Sequence, residues 1–339
     1  MASPDLLLAA ARSGDQRAFE QLIEPFRREL LAHSYRMLGS LQDAEDALQD
    51  ALVRAWKGLA KFEGRSSLRS WLYRITTNAA LRVVERRPAR VLPIDYGPAA
   101  ADPHGPIATP LIETTWIEPF PDELLEDDTH TSPEARYEQR ESVELAFTAA
   151  LQHLPPLQRA ALILTDVLGF APGEVAETLE QSPASIYSAL QRARKATDER
   201  LPDQSQQQTM RELGDDAIRQ AVGRFVTAWE SGDVESIRAQ LAEDAVLAMP
   251  PWPTWFRGRD HVADFLGRAP LTPERRWRLR PTTANGQIAL GAYRTEGPEP
   301  FTAEGIIVLS FTADGQIAQL DSFREQTLFA GFGLPMDLA

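Results

Sequence analysis

Between Arg54 and Arg90 the sequence sets ten basic residues against two acidic ones. Within that run, SLRSWLYRITTNAALRVVERR interleaves Trp71 and Tyr73 with Arg69, Arg74 and Arg82. A local cationic face of this kind is what a polyanion meets, whatever the total charge. The total is −14 over 339 residues and it is unevenly spread. Residues 1–95 carry 15 basic against 12 acidic groups, and residues 96–134 none against nine. Residues 135–202 carry seven against nine, and residues 203–339 carry 13 against 19. Other chemistries find little support. The absence of cysteine excludes disulfides, thiolate metal sites and cysteine nucleophiles. The five histidines (His33, His104, His130, His153 and His261) show no ligand spacing, so neither a metal nor a cofactor is expected. Asp244, Asp260 and Asp264 are the acids available for proton transfer in the last third. Asp244 is expected to end a helix and Asp260 to cap the next, and no catalytic residue is assigned.

Elements must hold these residues in place. Leu41, Ala44, Ala47, Leu48, Ala51, Leu52, Ala55 and Leu59 recur at three-four spacing, which predicts an amphipathic helix. Ser40 and Asp43 form a capping box at its start. Its polar face carries Asp43, Glu45, Asp46, Gln49 and Asp50, then Arg54 and Lys57. The basic and aromatic stretch that follows predicts a second helix. Residues 91–134 contain eight prolines and predict an extended linker rather than a fold. Residues 135–201 are helical again: ALILTDVLGF leads through Gly169 into APGEVAETLEQSPASIYSALQRARK. Ser182 as a side-chain cap and Pro183 at the first helical position mark a helix start there. Two short helices joined by a tight turn, the second ending basic, outline a helix-turn-helix. Beyond residue 213, Ala217, Ile218, Ala221, Val222, Phe225, Val226 and Trp229 share one helical face. Strands follow, punctuated by the hairpin signals Asn285-Gly286 and Asp314-Gly315. That order predicts an α+β domain, helices first and a curved antiparallel sheet after. No apolar run reaches membrane-spanning length, and the chain is expected in the cytoplasm without membrane contact.

The motifs resemble those of a family. DAEDALQDALVRAW (43–56) and FEGRSSLRSWLYRITTNAAL (62–81) resemble region 2 of an extracytoplasmic-function (ECF) sigma factor. LPPLQRAALILTDVLGFAPGEVAETLEQSPASIYSALQRARK (154–195) resembles region 4. Segment 213–330 is similar to the SnoaL-like, ketosteroid-isomerase-shaped domain, an extension carried by one actinobacterial group of these factors, sigma-G or sigma-J-like. The resemblance implies a multi-domain chain. Two all-α sigma domains, a region 2 bundle over 5–92 and a region 4 helix-turn-helix over 135–202, flank an acidic linker at 93–134. An α+β cone over 213–330 follows. The implied partners are core RNA polymerase and promoter DNA. By the match, Asp43, Asp46, Gln49, Asp50 and Arg54 lie on the polymerase-facing helix. Lys61, Arg65, Ser66 and Ser67, with Trp71, Arg74, Asn78 and Arg82, would meet the melted minus-ten element. Aromatic rings stack on unpaired bases, arginines take phosphates and asparagine reads a base edge. In region 4, Ala184, Ser185, Tyr187, Ser188 and Gln191 would reach bases of the minus-thirty-five element. Arg192, Arg194 and Lys195 would lie near phosphates, and Ile186 and Leu190 would pack inward. Two positions depart from the family pattern: Glu180 stands where a turn glycine is common, and Ala171 replaces a common capping serine.

In the family the inter-region linker threads the channel through which RNA later leaves. A proline-rich chain bearing nine carboxylates over 96–134 suits such a basic channel better than it suits a solvated tether, because a run from Val91 to Ala135 without a single cation is unusual for a tether. Neither account explains Trp116, Ile117, Phe120 and the adjoining Pro121 in WIEPFPD, whose apolar surface suggests a protein docking site, expected on residues 213–330. The last third leaves two readings open. It modulates the sigma factor in cis, with or without a small ligand, or it is a small-molecule-binding or isomerase-like module attached to a promoter reader.

Overall fold

Ser3, Asp15, Ser40, Ser67 and Ser182 each start a helix by accepting a backbone N–H with their side-chain oxygen, the commonest device for satisfying an N-terminal turn. The computed structural model describes residues 3–64, 66–111, 116–125 and 138–339. These fall into two units, residues 1–89 with 124–201, and residues 90–123 with 202–339.

In the first unit, α1 (Pro4–Arg12), α2 (Gln16–Ile23), α3 (Arg27–Leu38), α4 (Leu41–Gly58) and α5 (Leu68–Val84) form a bundle. Its core is Leu30, Tyr35, Met37, Ala44, Ala55, Leu72 and Ala80. The second helical segment contributes α6 (Leu145–Gln152), α7 (Pro156–Leu162, continued by a π-helical turn to Val167), α8 (Pro172–Thr178) and α9 (Pro183–Asp198).

The second unit starts its C-terminal part with α10 (Gln206–Leu213), α11 (Asp215–Ser231) and α12 (Val234–Arg238). Strands β1 (Leu241–Met249) and β2 (Trp252–Arg257) precede α13 (Arg259–Arg268). Then come β3 (Arg276–Ala284), β4 (Gln287–Thr295), β5 (Phe301–Phe311), β6 (Ile317–Phe323) and the short β7 (Asp337–Leu338). The sheet order is β2-β1-β6-β5-β4-β3, with β7 on β5. All pairings are antiparallel except β1 with β6. Its inner face packs Leu247, Phe256, Leu290, Leu309 and Leu320 on Phe225, Trp229 and Phe265 of the helices. Gly305 is required at a bend of β5: a Cβ there would sit 2.4 Å from the Phe323 carbonyl oxygen.

Two expectations are corrected. Asp244 lies inside β1 rather than ending a helix, and Asp260 sits in the first turn of α13 without capping it. The proline-rich segment has few regular elements, yet it is not a free tether over its described length. Trp116, Ile117 and Phe120 are 6%, 1% and 0% exposed, because their side chains find a folded surface to cover.

Candidate functional site

Four of the five side chains expected on the polymerase-facing helix share a solvent face. Asp46, Gln49, Asp50 and Arg54 are exposed on α4, while Ala44, Ala47, Leu48, Ala51 and Ala55 are buried behind them. Asp50 accepts from Arg54 at 2.8 Å and from Arg82 of α5 at 3.3 Å. These hydrogen bonds, Arg54's above all, hold its carboxyl below the usual carboxylate value. Asp43 differs. It is 5% exposed and ion-paired with Arg87, a structural closure of the helix N-terminus rather than a solvent-facing group.

On α5, Trp71, Arg74, Asn78 and Arg82 fall along one side by helical spacing. Arg74 is exposed, and the other three are half-buried, with Trp71 tilted against Phe62 at 5.0 Å. Tyr73 is core: its hydroxyl donates to Glu29 at 3.1 Å and burial pushes the phenol up. Lys61 and Ser66 are exposed before the helix, and Ser67 is its cap, accepting from Ser70 N–H at 3.0 Å. Arg65 lies outside the described residues.

On α9, Ala184, Tyr187, Ser188, Gln191, Arg192 and Lys195 are exposed and Ser185 is half-buried beside the cap. Ile186 and Leu190 pack inward at 0% and 3% exposure. Arg194 is held in a bidentate pair by Asp166, at 2.8 and 2.7 Å. The turn before α9 passes through Glu180 at φ +53°, the left-handed region where glycine is usual. That strained carboxylate meets Arg74 at 3.1 Å.

This pair sits on a longer seam between α3–α5 and the helix-turn-helix segment. Phe170 packs edge-on to Tyr73 at 5.2 Å, with the Arg69 guanidinium 5.1 Å from its ring. Deeper in, Arg36 donates to the carbonyl and hydroxyl of Ser142 at 3.1 and 2.8 Å. Arg159 donates to the Met37 carbonyl at 2.5 Å and to both the side chain and carbonyl of Gln152, at 2.6 and 2.9 Å. Both guanidiniums are buried, 3% and 2% exposed, and burial pushes each down to about 10. Desolvating a charge costs several kcal/mol, about what multiple carbonyl hydrogen bonds return. The sequence gives no sign of this role, since an arginine between apolar neighbours reads as a surface residue.

In the second unit, the linker docks along the sheet. Trp255 donates its indole N–H to the Gly97 carbonyl at 2.7 Å and its own carbonyl accepts from Ala100 at 2.8 Å. Leu111 N–H reaches the Pro251 carbonyl at 2.9 Å. The stretch 116–122 then docks on the β3–β4 hairpin. Phe120 N–H donates to Asn285 Oδ1 at 2.8 Å, and Asn285 N–H returns a 2.8 Å bond to the Phe120 carbonyl. Asp122 accepts from Gly286 N–H at 2.7 Å, and Pro121 bridges Ala284. Asn285 and Gly286 sit at φ +57° and +71°, so the turn chemistry legible in the sequence also builds the anchor. A partly buried Arg90–Glu118 pair at 3.1 Å and the Arg90 bond to the Trp116 carbonyl at 2.5 Å fix the other end.

Comparison with known proteins assigns these parts. Residues 22–89 match Sigma-70 region 2, residues 144–196 match Sigma-70, region 4, and residues 222–320 match the SnoaL-like domain. The ECF RNA polymerase sigma factor SigG of Mycobacterium tuberculosis is 40% identical, over 97% of this chain and 86% of that protein. The chain belongs to the ECF sigma factor family. SigJ of the same organism is 26% identical over 72% of this chain and 70% of its own. The SigJ crystal structure shares the fold, with a TM-score of 0.57 at 23% identity, over 92% of this chain and 99% of that one.

Inside the SnoaL-like domain of this sigma factor, the space between sheet and helices is nearly filled. About 30 Å³ remains between Trp229, Met249, Phe265, Trp277 and Ile307, room for one or two waters. The Trp229 indole N–H is buried there with no hydrogen-bond partner among the described residues. Asp260 and Asp264 pair with Arg238 at 2.6 and 2.8 Å and Asp244 is exposed, so none of the three candidate acids lines the cavity.

Proposed function

We propose that this sigma factor directs promoter-specific initiation through three surfaces and that its SnoaL-like domain acts on them in cis by holding the linker. Asp46, Gln49, Asp50 and Arg54 meet core RNA polymerase. Trp71, Arg74, Asn78 and Arg82, with the loop 61–67, meet the melted minus-ten element. The exposed face of α9 meets the minus-thirty-five element, and Arg194 reaches a phosphate only after leaving Asp166. Asp43 serves the polymerase surface indirectly, by fixing the start of α4.

The observation that carries the cis role is the reciprocal pair of hydrogen bonds between Phe120 and Asn285. A segment laid on the SnoaL-like domain in this way is not available to enter a polymerase channel. The region 2–region 4 seam supports a closed resting state as well. The two promoter elements lie about 25 base pairs apart, roughly 85 Å of duplex. A unit of this size has a radius of gyration of about 15 Å, so the seam must part before both elements are read at once.

Run-off transcription with core polymerase tests the reading. Charge reversal at Asp46 and Asp50 should weaken co-purification with core enzyme. Removing residues 205–339, or replacing Trp116 and Phe120 by alanine, should shift transcription in the same direction and non-additively, since both remove one interface. Opposite signs would separate the linker from the domain, and failure of the intact chain to bind core enzyme would remove the polymerase surface altogether.

A further inference from the structure

Strand β3 is an edge of the sheet, and its outward face carries Arg276, Arg278 and Arg280 in alternation with the buried Trp277 and Leu279. All three arginines are exposed. Compensation by carboxylates is slight. Arg278 reaches Glu230 only at 3.8 Å, Arg276 donates to the Gly297 carbonyl, and no hydrogen bond or ion pair engages Arg280 among the described residues. Arg276 and Arg278 are braced over the Phe301 ring at 5.4 and 5.1 Å, which fixes where their charges stand.

Edge protection does not account for them. A bare edge strand invites pairing with another chain, and one charge or a proline suffices to prevent it. Here Pro281 removes one edge N–H, and Glu230 accepts another, from Leu279, at 2.8 Å. Three cations of one sign on an acidic chain go beyond that need. Their spacing is informative: alternate residues of an antiparallel strand stand about 6.8 Å apart. Successive phosphates on one strand of B-DNA rise about 3.4 Å along the axis and wind around it, which sets them roughly 6–7 Å apart through space, so the arginines run in step with successive phosphates.

We propose that the outer face of β3 is a third DNA contact of this sigma factor, a sequence-independent clamp on the phosphate backbone of duplex flanking the promoter elements. Arg276, Arg278 and Arg280 each neutralise one phosphate. The contact carries no base readout. It adds affinity and salt dependence to whatever regions 2 and 4 specify. It relies on the sigma-factor reading only to bring duplex DNA within reach.

The test is fluorescence anisotropy of the full-length chain with a 40-base-pair promoterless duplex, titrated in salt from 50 to 300 mM. Each lost phosphate contact flattens the slope of log affinity against log salt by about 0.9, so R276Q/R278Q/R280Q should flatten it by roughly 3. R280Q alone, which removes a side chain with no hydrogen bond or ion pair among the described residues, should flatten it by about 1. The triple lysine variant should keep the slope. Far-UV circular dichroism and melting confirm that each variant folds. An unchanged slope in both glutamine variants overturns the proposal, as does no binding by the wild type at 50 mM salt. So does an equal loss in the lysine variant, which would assign the effect to packing on Phe301. A larger effect on single-stranded RNA than on duplex would assign the surface to another ligand and also overturn it. A failure of the sigma-factor reading is seen separately, as no initiation by the wild type with core polymerase.

Discussion

Two internal docking surfaces of this chain are built from opposite materials. The seam between regions 2 and 4 turns on buried arginines, Arg36 and Arg159, satisfied by neutral oxygens, with an exposed Arg74–Glu180 pair at its rim. The linker lies on the SnoaL-like domain through backbone-type hydrogen bonds at Asn285 and through Phe120, Ile117 and Trp116, which exclude water. Water can replace everything that holds the guanidiniums, at little net cost. It cannot replace the burial of a phenyl ring. The seam is therefore suited to opening on contact with a partner, and the linker to staying down until something competes for the whole segment.

The sharpest way to break this contrast is at Phe120. Phe120→Ala should destabilise linker docking by about 3–5 kcal/mol. Hydrogen exchange of amides 116–122 reads this, and Asn285→Ala should expose the same amides with little further loss in combination. Retained protection in the double variant would show that other contacts hold the linker.

A pH series sharpens the comparison next. Asp321 is 1% exposed on β6, and burial, partly offset by Gln319, pushes its carboxyl up to about 7. A carboxylate raised in the folded state binds more protons there than in the unfolded chain. Its effect is absent below about pH 4 and grows as pH rises through 7, costing the second unit up to about 4 kcal/mol. Asp321→Asn should flatten that loss. His33 acts with the other sign. Burial, then Arg36 and Arg69, hold it down at about 3, so the first unit loses stability as pH falls below 6.5 toward 3. Calorimetry from pH 4 to 8 should show one transition falling as pH rises and another falling as it drops; parallel shifts would contradict these assignments.

At the seam, replacing Arg36 and Arg159 together by methionine should destabilise the closed state by about 1–4 kcal/mol, because the Ser142, Met37 and Gln152 oxygens they serve are left buried without donors while the desolvation of two charges is relieved. Denaturant midpoints measure the stability, and run-off transcription should rise as the seam becomes easier to open. Loss of stability with unchanged transcription would show that the arginines are merely structural. The smallest effect is expected at Glu180→Gly. Losing an exposed pair costs about 0–1 kcal/mol while relief of the left-handed backbone returns about 1–2, so melting should move little.

How much was legible follows from how local each signal is. The helices, the Ser182 cap, the Asn285-Gly286 turn and the polar face of α4 are set by neighbours within a few residues, and the family motifs lie in those same short runs. Asp43 read like its neighbours on that face, because only packing reveals that Arg87 covers it. Composition marked residues 91–134 as an extended linker, and the apolar side chains of WIEPFPD marked it for docking on residues 213–330. Neither could say that Phe120 would find Asn285, 165 residues away.

By itself the sequence determined the element types, the three-part family membership and the separation of a basic face from an acidic tract. Each of these is written in adjacent side chains and their periodicity. Only the tertiary structure decided which carboxylates face solvent, that two arginines are buried in the seam, and that the linker, expected to dock on residues 213–330, does so at Asn285 of the β3–β4 turn. It also aligned the β3 arginines on one open face. These depend on long-range contacts, whose free energy comes from burial and pairing between segments far apart in the chain, where local pattern carries no information.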